Sequence, residues 1–266
     1  MKTLITILFS IGVTIIVDAR SSGVDTGDDI ASIYRGAHLN GLENQPHAFV
    51  TFGATGDLAK KKIYPALWSL FRDNLLPNGT MFLGCGRTKL TTAEFRTRFE
   101  PYIQVNSSER ARYEEFWGLN RYVASKYSSH DDFKLLNDEI NKLTKGTNAN
   151  RLFYLSIPPT AFISFTELIK ANCMAEKGWN RVVIEKPFGK DTESSKKLSD
   201  HLAKLFVEEQ IYRMDHYLGQ EMVQNLLTFR FSNKIFSPTW NRDNIAAVMI
   251  TLKEPFGVVG RGGYFD

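Results

Sequence analysis

Cysteine is scarce in this sequence, which contains only Cys85 and Cys173 in 266 residues. Two thiols exclude a disulfide framework and a cysteine-rich metal site. Excess charge is also slight: 33 basic and 29 acidic residues leave a net charge of +4, which suits an anionic small ligand and is too weak to indicate a nucleic-acid partner. With 43% apolar and 23% charged residues, the composition excludes disordered, collagen-like and coiled-coil chains. It predicts one large globular domain or two smaller ones.

Long apolar runs are absent except at the N-terminus, where Lys2 precedes 14 uncharged, mostly apolar residues that end before Asp18. Small residues at Val17 and Ala19 precede a possible cut after Ala19, so residues 1–19 have the layout of a secretory signal peptide. As a helix the run would be about 21 Å long, against roughly 30 Å for a bilayer core, which predicts no stable membrane span. A mis-assigned start or a buried N-terminal helix is the alternative.

Strands and helices alternate from residue 47 to residue 213, after a polar lead-in at 20–46. One helical pattern covers 57–75, where Pro65 should bend or break it, and a capping box at Thr91 opens another. Repeated alternation of this kind predicts βαβ units and a mostly parallel sheet covered by helices, which is an α/β fold. The predicted strands are His47–Phe52, Thr80–Gly84, Leu152–Ile157, Arg181–Ile184 and Ile211–Met214.

The pattern changes in residues 214–266. It predicts a helix at Leu218–Leu227 and then strands at Leu227–Phe231 and Ile245–Leu252, which would open a second sheet. About 50 residues cannot bury a sheet by themselves. We therefore interpret 214–266 as an incomplete second domain of a longer chain.

A glycine turn, Gly53-Ala54-Thr55-Gly56, follows the first predicted strand and continues through Asp57-Leu58-Ala59-Lys60 into a helix. A dinucleotide-binding fingerprint requires this setting: the glycines allow a tight turn and close approach to a pyrophosphate, and a small residue such as Ala59 packs helix on strand. The amides at the helix N-terminus favour an anion. Asp57 would repel a phosphate, so we expect it to cap the helix. An ordinary strand-to-helix turn is the alternative.

Two cations, Arg87 and Lys89, follow the second predicted strand, and no acid accompanies them. An acid at this point would accept a hydrogen bond from the ribose 2′-hydroxyl and select NAD. The cations instead favour a 2′-phosphate and therefore NADP. A solvated basic turn is the alternative.

Polar residues also follow the later strands. Lys186 comes after the strand at 181–184, His216 and Tyr217 come after the strand at 211–214, and Glu254 lies near a third strand end. Ligands of open α/β sheets bind at the carboxyl ends of the strands. These side chains are therefore candidates for binding an anionic substrate or cofactor and, for Glu254, sugar hydroxyls. A surface lysine, a core or capping histidine and a loop carboxylate are the alternatives.

Together these motifs resemble the glucose-6-phosphate dehydrogenases, from about residue 30 to the end of the chain. The resemblance implies a Rossmann-type dinucleotide-binding domain at 47–213, followed by the beginning of a β+α substrate domain. It implies NADP-dependent oxidation of glucose 6-phosphate to 6-phosphogluconolactone, the first step of the oxidative pentose phosphate pathway, and a homo-oligomer for the full-length protein. The segments that carry it are Gly53–Pro65, Glu185–Gly189, Asp215–Gly219, Trp240–Ile245 and Lys253–Gly257.

The resemblance also implies which residues contact the ligands. The substrate contacts would be Lys186, His216, Tyr217, Gln220 and Glu254. The coenzyme contacts would be Gly53, Ala54, Thr55, Gly56, Asp57, Leu58, Ala59, Lys60, Arg87, Tyr154 and Lys186. No metal is expected.

Two departures from the family pattern stand out. Gln220 occupies the position of a second substrate-binding lysine. The family's general-base histidine and its aspartate partner lie beyond the Gly-Gly-Tyr-Phe-Asp motif that ends at Asp266, so no catalytic base is expected in 1–266, and we expect this portion alone to be inactive. A non-catalytic NADP- or sugar-phosphate-binding paralogue is the alternative function. The leader predicts the endoplasmic reticulum lumen or the secretory route, and the cytosol, where the main family lies, is the alternative location.

Overall fold

The computed structural model describes residues 45–146, 148–251 and 257. The predicted leader, residues 20–44 of the lead-in and Glu254 lie outside the described residues. Within the described part of the chain, no helix is both long enough and apolar enough to cross a bilayer.

Six parallel strands form one sheet in the order β3-β2-β1-β4-β5-β6. At the end of β1, Phe52 lies beside Cys85 of β2 and Leu155 of β4. This strand order is that of a doubly wound dinucleotide-binding sheet, whose winding reverses between β1 and β4. The predicted α/β fold is confirmed, and β3 is a strand that the sequence did not predict. The strands are β1 (His47–Phe52), β2 (Met81–Gly86), β3 (Asn120–Ala124), β4 (Asn150–Leu155), β5 (Asn180–Glu185) and β6 (Ile211–Met214).

Seven α-helices accompany the strands in the described residues. The capping box predicted before the second of them is confirmed, because the main-chain N–H of Glu94 donates to Thr91 Oγ1 at 3.2 Å and that of Thr91 donates to Glu94 Oε2 at 2.7 Å. The helices are α1 (Tyr64–Arg72), α2 (Thr92–Thr97), α3 (Arg110–Gly118), α4 (His130–Thr144), α5 (Phe162–Asn172), α6 (Thr192–Leu205) and α7 (Glu221–Ser232).

The helix after the glycine turn is interrupted, as Pro65 predicted. Residues Ala59–Ile63 form a π-helical turn, in which the N–H of Tyr64 donates to the carbonyl of Ala59, and regular α-helix resumes at Tyr64. Proline has no N–H to donate, and the first turn of an α-helix needs none. Pro65 therefore marks the start of α1.

Two buried apolar layers hold the helices against the sheet. Alternate residues of β1 divide between them, since Phe49 belongs to one layer and Val50 and Phe52 to the other. The first layer includes Tyr64, Leu67 and Trp68 of α1 and Phe116 and Trp117 of α3. The second includes Phe133 and Leu136 of α4, Phe162 of α5 and Leu202 of α6.

The contacts divide the chain into two units, the first ending at Gly219 and the second beginning at Gln220. In the second unit, the predicted strand at Leu227–Phe231 is wrong, because these residues belong to α7. The predicted helix at Leu218–Leu227 begins instead at Glu221. Residues 245–251 have no regular structure, so the strand predicted from Ile245 is wrong over those residues. A strand needs a neighbour for its main-chain hydrogen bonds, and the described residues supply none there. The sequence-based boundary between 213 and 214 stays a prediction.

Candidate functional site

The turn after β1 is built around Gly53, whose φ is +72°. A Cβ at this position would stand 1.9 Å from the carbonyl oxygen of Ser156, just after β4. The N–H of Gly56 donates to the Gly53 carbonyl at 2.9 Å and closes the turn, and Gly56 itself is exposed. The two glycines therefore bring the main chain close to the β1–β4 crevice with no side chain in the way.

The end of β2 lies against this turn. The N–H of Ala54 donates to the carbonyl of Cys85 at 3.0 Å, and Thr55 Oγ1 is 3.3 Å from where a Cβ of Gly86 would be. Arg87 is the first residue after β2, and it is exposed and forms no ion pair with any described residue. Its guanidinium is therefore available to an anion beside the turn.

Asp57 pairs with lysines rather than capping the helix, which corrects the expectation from sequence. Its carboxylate oxygens lie 3.1 Å from Lys60 Nζ and 3.2 Å from Lys61 Nζ. Hydrogen bonds from Lys60 and then Lys61 lower the pKa of Asp57. Lysines three and four positions along a helix face the same side as the acid, so they compete with the main-chain N–H groups for it. The pairing reduces the repulsion between Asp57 and a phosphate at the turn.

Polar side chains gather at the ends of β5 and β6. Lys186 Nζ lies 3.2 Å from Asp215 Oδ1 and 3.5 Å from the ring centroid of Tyr217. The N–H of Lys186 donates to the carbonyl of Met214 at 3.2 Å, which ties the two strand ends together, and the Lys186–Pro187 peptide bond is cis. The lysine is thus held over an aromatic face beside a carboxylate.

Glu185, the last residue of β5, lies beneath this cluster and is 4% exposed. It accepts a hydrogen bond from the hydroxyl of Tyr154 at 2.5 Å, and its other oxygen is 3.4 Å from His216 Nδ1. Burial, and then the charge of Glu185, raise the pKa of Tyr154. Lys186 and His216 are therefore the hydrogen-bond donors that this cluster can offer to an anion. Each lies beside a carboxylate, Lys186 beside Asp215 and His216 beside Glu185.

Comparisons with known proteins agree with this geometry. A family model described as "Glucose-6-phosphate dehydrogenase, NAD binding domain" matches residues 50–225, and one described as "Glucose-6-phosphate dehydrogenase, C-terminal domain" matches residues 227–266. The chain belongs to the glucose-6-phosphate dehydrogenase family. The first unit is accordingly this family's nicotinamide-dinucleotide-binding domain.

Relatives and solved structures of the dehydrogenase family extend the match. The chain is 57% identical over 232 residues to glucose-6-phosphate 1-dehydrogenase of Ceratitis capitata, covering 87% of this chain and 44% of that protein. The Drosophila melanogaster protein of the same name is 56% identical over 234 residues, covering 88% and 44%. The chain thus spans less than half the length of these relatives.

A solved glucose-6-phosphate dehydrogenase "in complex with its substrate glucose-6-phosphate" superposes with a TM-score of 0.72 and 40% identity, covering 83% of this chain and 47% of that one. The Mycobacterium avium enzyme superposes with a TM-score of 0.64 and 30% identity, covering 82% and 46%. The fold of the first unit is therefore that of the dehydrogenases.

The structure brings some of the predicted site residues of this chain together and separates others. Lys186, His216 and Tyr217 meet, and the residues from Gly53 to Lys60 form the turn and helix start beside Arg87. The predicted coenzyme contact Tyr154 is 5% exposed and its hydroxyl is taken up by Glu185. Gln220 begins the second unit as the N-cap of α7, where its side chain makes no capping bond. The contacts of these residues with ligands stay predictions.

Sequence reasoning missed Glu185 and Asp215, although both belong to the motifs that it quoted. Each directly precedes a predicted ligand-binding residue at a strand end. That position was the available signal, because a carboxylate beside a cation at the same edge of a sheet is placed to orient it.

Proposed function

We propose that this chain is the coenzyme-binding portion, with part of the substrate site, of an NADP-dependent glucose-6-phosphate dehydrogenase that forms 6-phosphogluconolactone. The observation that carries the proposal is the cluster of Lys186, His216 and Tyr217 at the ends of β5 and β6. Parallel strands end at the same edge of a sheet, so these donors share an edge with the glycine turn after β1. A relative described as holding glucose 6-phosphate supports the choice of substrate.

The residues of the first unit fit a dinucleotide. The main chain from Gly53 to Gly56 carries no side chain larger than threonine, and the N–H groups at the following helix start favour a pyrophosphate. When bound, the coenzyme accepts the hydride from the sugar. Lys186 supplies a positive donor and His216 an imidazole donor for the sugar phosphate and hydroxyls, and Tyr217 holds the lysine through its ring.

The test uses the full-length protein and the variant Lys186→Gln. Loss of a charged donor costs about 1.5–3 kcal/mol, so kcat/KM for glucose 6-phosphate, measured as NADPH absorbance, should fall roughly 10- to 150-fold. Lys177→Gln is the matched control, because Lys177 is exposed and precedes β5 at the opposite edge of the sheet. A wild-type protein that forms no NADPH, or an equal loss in the control, would overturn the proposal.

We further propose that the coenzyme is NADP rather than NAD, with Arg87 binding the 2′-phosphate. No acid follows β2, and Arg87 has no ion-pair partner among the described residues. Calorimetric titration of the chain with both cofactors tests this. Arg87→Ala should weaken NADP binding roughly 10- to 150-fold and leave NAD binding nearly unchanged, while Lys177→Ala should affect neither. Equal affinity of the wild-type chain for NAD and NADP would refute the assignment.

Gln220 favours the second candidate, a non-catalytic paralogue that binds NADP or a sugar phosphate. An amide offers a phosphate no charge, whereas the family's lysine does. Binding of both ligands without turnover by the full-length protein would select this function. A homo-oligomer, and a location in the endoplasmic reticulum lumen or secretory route, with the cytosol as the alternative, are also proposals.

A further inference from the structure

The carboxylate of Glu185 is buried, and its burial requires a structural explanation. Burial of a carboxylate costs free energy unless it is paired and hydrogen-bonded. One oxygen accepts from the Tyr154 hydroxyl at 2.5 Å, and the other faces His216 Nδ1 at 3.4 Å. The only nitrogen at this second oxygen in the described structure is therefore that of the imidazole.

His216 is held from two sides. Its Nδ1 has almost no accessible surface and no partner with hydrogen-bond geometry among the described residues, although Glu185 lies within ion-pair distance. Its ring meets Tyr217 edge to face, with 5.2 Å between the centroids. A quarter of the side chain is exposed, and the buried Nδ1 contributes almost nothing to that exposed surface.

The other charged groups of the cluster do not compete for Glu185. Lys186 is engaged with Asp215 and with the Tyr217 ring. Tyr154 is buried and donates to Glu185 as a neutral hydroxyl. Glu185 is therefore free to act on the imidazole.

We propose that Glu185 is a positioning residue for His216: it accepts a hydrogen bond from Nδ1–H, is itself held by Tyr154, and so fixes the ring with Nε2 turned outward to the sugar phosphate. A carboxylate at one imidazole nitrogen sets the tautomer and the ring orientation. In the doubly protonated imidazole both nitrogens donate, Nδ1 to Glu185 and Nε2 to the phosphate. The inference rests on the proposed function, because the phosphate is the ligand named there.

The first experiment needs no ligand. In the ¹⁵N-labelled full chain, a buried Nδ1 proton bonded to Glu185 exchanges slowly, so it should give an imidazole cross-peak that His216→Asn removes. The peak should be lost or shifted in Glu185→Gln and in Tyr154→Phe. Glu167→Gln is the matched control, since it neutralises an exposed carboxylate 3.9 Å from His201, and it should leave the peak unchanged.

The second experiment is a double-mutant cycle on glucose 6-phosphate binding, measured by calorimetry on the full chain. Glu185→Gln should weaken binding about 10-fold. In the His216→Asn background, the same change should cost less than about twofold, because it acts through the histidine. NADP binding should change in neither case.

The outcomes separate the two proposals. A wild-type cross-peak without any glucose 6-phosphate binding would contradict the proposed function and leave the positioning role intact. A missing wild-type peak, or a full 10-fold loss in the His216→Asn background, would overturn the positioning role even if glucose 6-phosphate binds.

Discussion

Replacement of Gly53 by alanine tests the geometry of the coenzyme turn. The φ of +72° at Gly53 lies in the left-handed region, which costs a residue with a Cβ about 1–2 kcal/mol. The new Cβ would also stand 1.9 Å from the Ser156 carbonyl oxygen, more than about 1 Å inside the usual C···O contact. Ser156 is tied by its own N–H to the carbonyl of Phe52 at 3.1 Å. Relief of the clash must therefore displace the end of β4 from β1, which adds about 1–3 kcal/mol.

The structure supplies a matched control at Gly79. This glycine has the same φ of +72°, but a Cβ there would meet nothing within 4 Å. Gly79→Ala should therefore cost only the backbone term, about 1–2 kcal/mol, whereas Gly53→Ala should cost about 2–5 kcal/mol. Because the loop of Gly79 precedes β2, it lies at the opposite edge of the sheet, and only Gly53→Ala should weaken NADP binding.

Thermal unfolding and NADP titration of the wild-type chain and both variants would measure the difference. At about 2–4 °C per kcal/mol for a domain of this size, the midpoint should fall by roughly 2–8 °C for Gly79→Ala and by roughly 4–20 °C for Gly53→Ala. Equal shifts in the two variants would refute the reasoning, because they would mean that the Ser156 contact carries no free energy. Unchanged NADP binding in Gly53→Ala would separate the turn from the coenzyme.

Three further predictions concern other parts of the chain. Burial raises the pKa of Cys85 and of Cys173 to about 12, so neither thiol should react with an alkylating reagent at pH 8 until urea unfolds the chain, as mass spectrometry would record. The unfolded thiols release their protons near pH 8.5. The free energy of unfolding should therefore fall between about pH 9 and pH 12, by up to about 1.4 kcal/mol per pH unit for each thiol. A free energy of unfolding that does not change over this pH range would contradict the burial of both thiols. Gln220→Lys in the full-length protein should strengthen glucose 6-phosphate binding by about 1–3 kcal/mol, and a change of KM and kcat below about twofold would show that the glutamine is no handicap. N-terminal sequencing of the expressed protein should begin at Arg20, and a soluble product that retains Met1 would reject the leader.

The sequence predicted five of the six strands and missed β3, which lies at one edge of the sheet. β1 and β6 have the predicted bounds, because each is a short run that ends at a clear sequence signal, Gly53 after β1 and Asp215 after β6. β3 begins with Asn120 and Arg121, which read as a loop. Asn120 is nevertheless buried, and its side-chain amide donates to the carbonyl of Phe116 at 2.7 Å. The carbonyl of Phe116 thus accepts the hydrogen bond of a side chain that the local sequence pattern would place in solvent.

The residues of the candidate site were likewise predicted only in part. Motifs predicted the glycine turn, Lys186 and His216, because their positions after strands follow from chain order alone. The link from Tyr154 through Glu185 to His216 crosses three strand ends, and no local pattern reports which side chains those ends bring together. The expected coenzyme contact at Tyr154 rested on sequence position, and the burial of its ring became visible only in the fold.

The assignment of the 2′-phosphate to Arg87 depends on where β2 ends. The sequence-based prediction ended this strand at Gly84, yet the strand continues to Gly86. At Gly84 and Gly86 other side chains pack closely against the strand backbone. A Cβ at Gly84 would stand 2.6 Å from the Phe95 ring, and one at Gly86 would stand 2.6 Å from the Tyr122 hydroxyl. Arg87 is consequently the first residue after the strand, where an acid would select NAD.

Lys60 is the competing cation near the turn, but its ammonium is 3.1 Å from Asp57, so binding a phosphate there would require weakening that pair. Arg87 has no ion pair to break within the described structure. We therefore expect a 2′-phosphate to gain a full charge-assisted contact at Arg87 and only a partial one at Lys60. On this reasoning Lys60→Ala should reduce the affinity for NADP and NAD by similar factors, since both carry the pyrophosphate. Arg87→Ala should reduce the affinity for NADP alone, and an equal loss of NAD binding in Arg87→Ala would place Arg87 at the pyrophosphate instead.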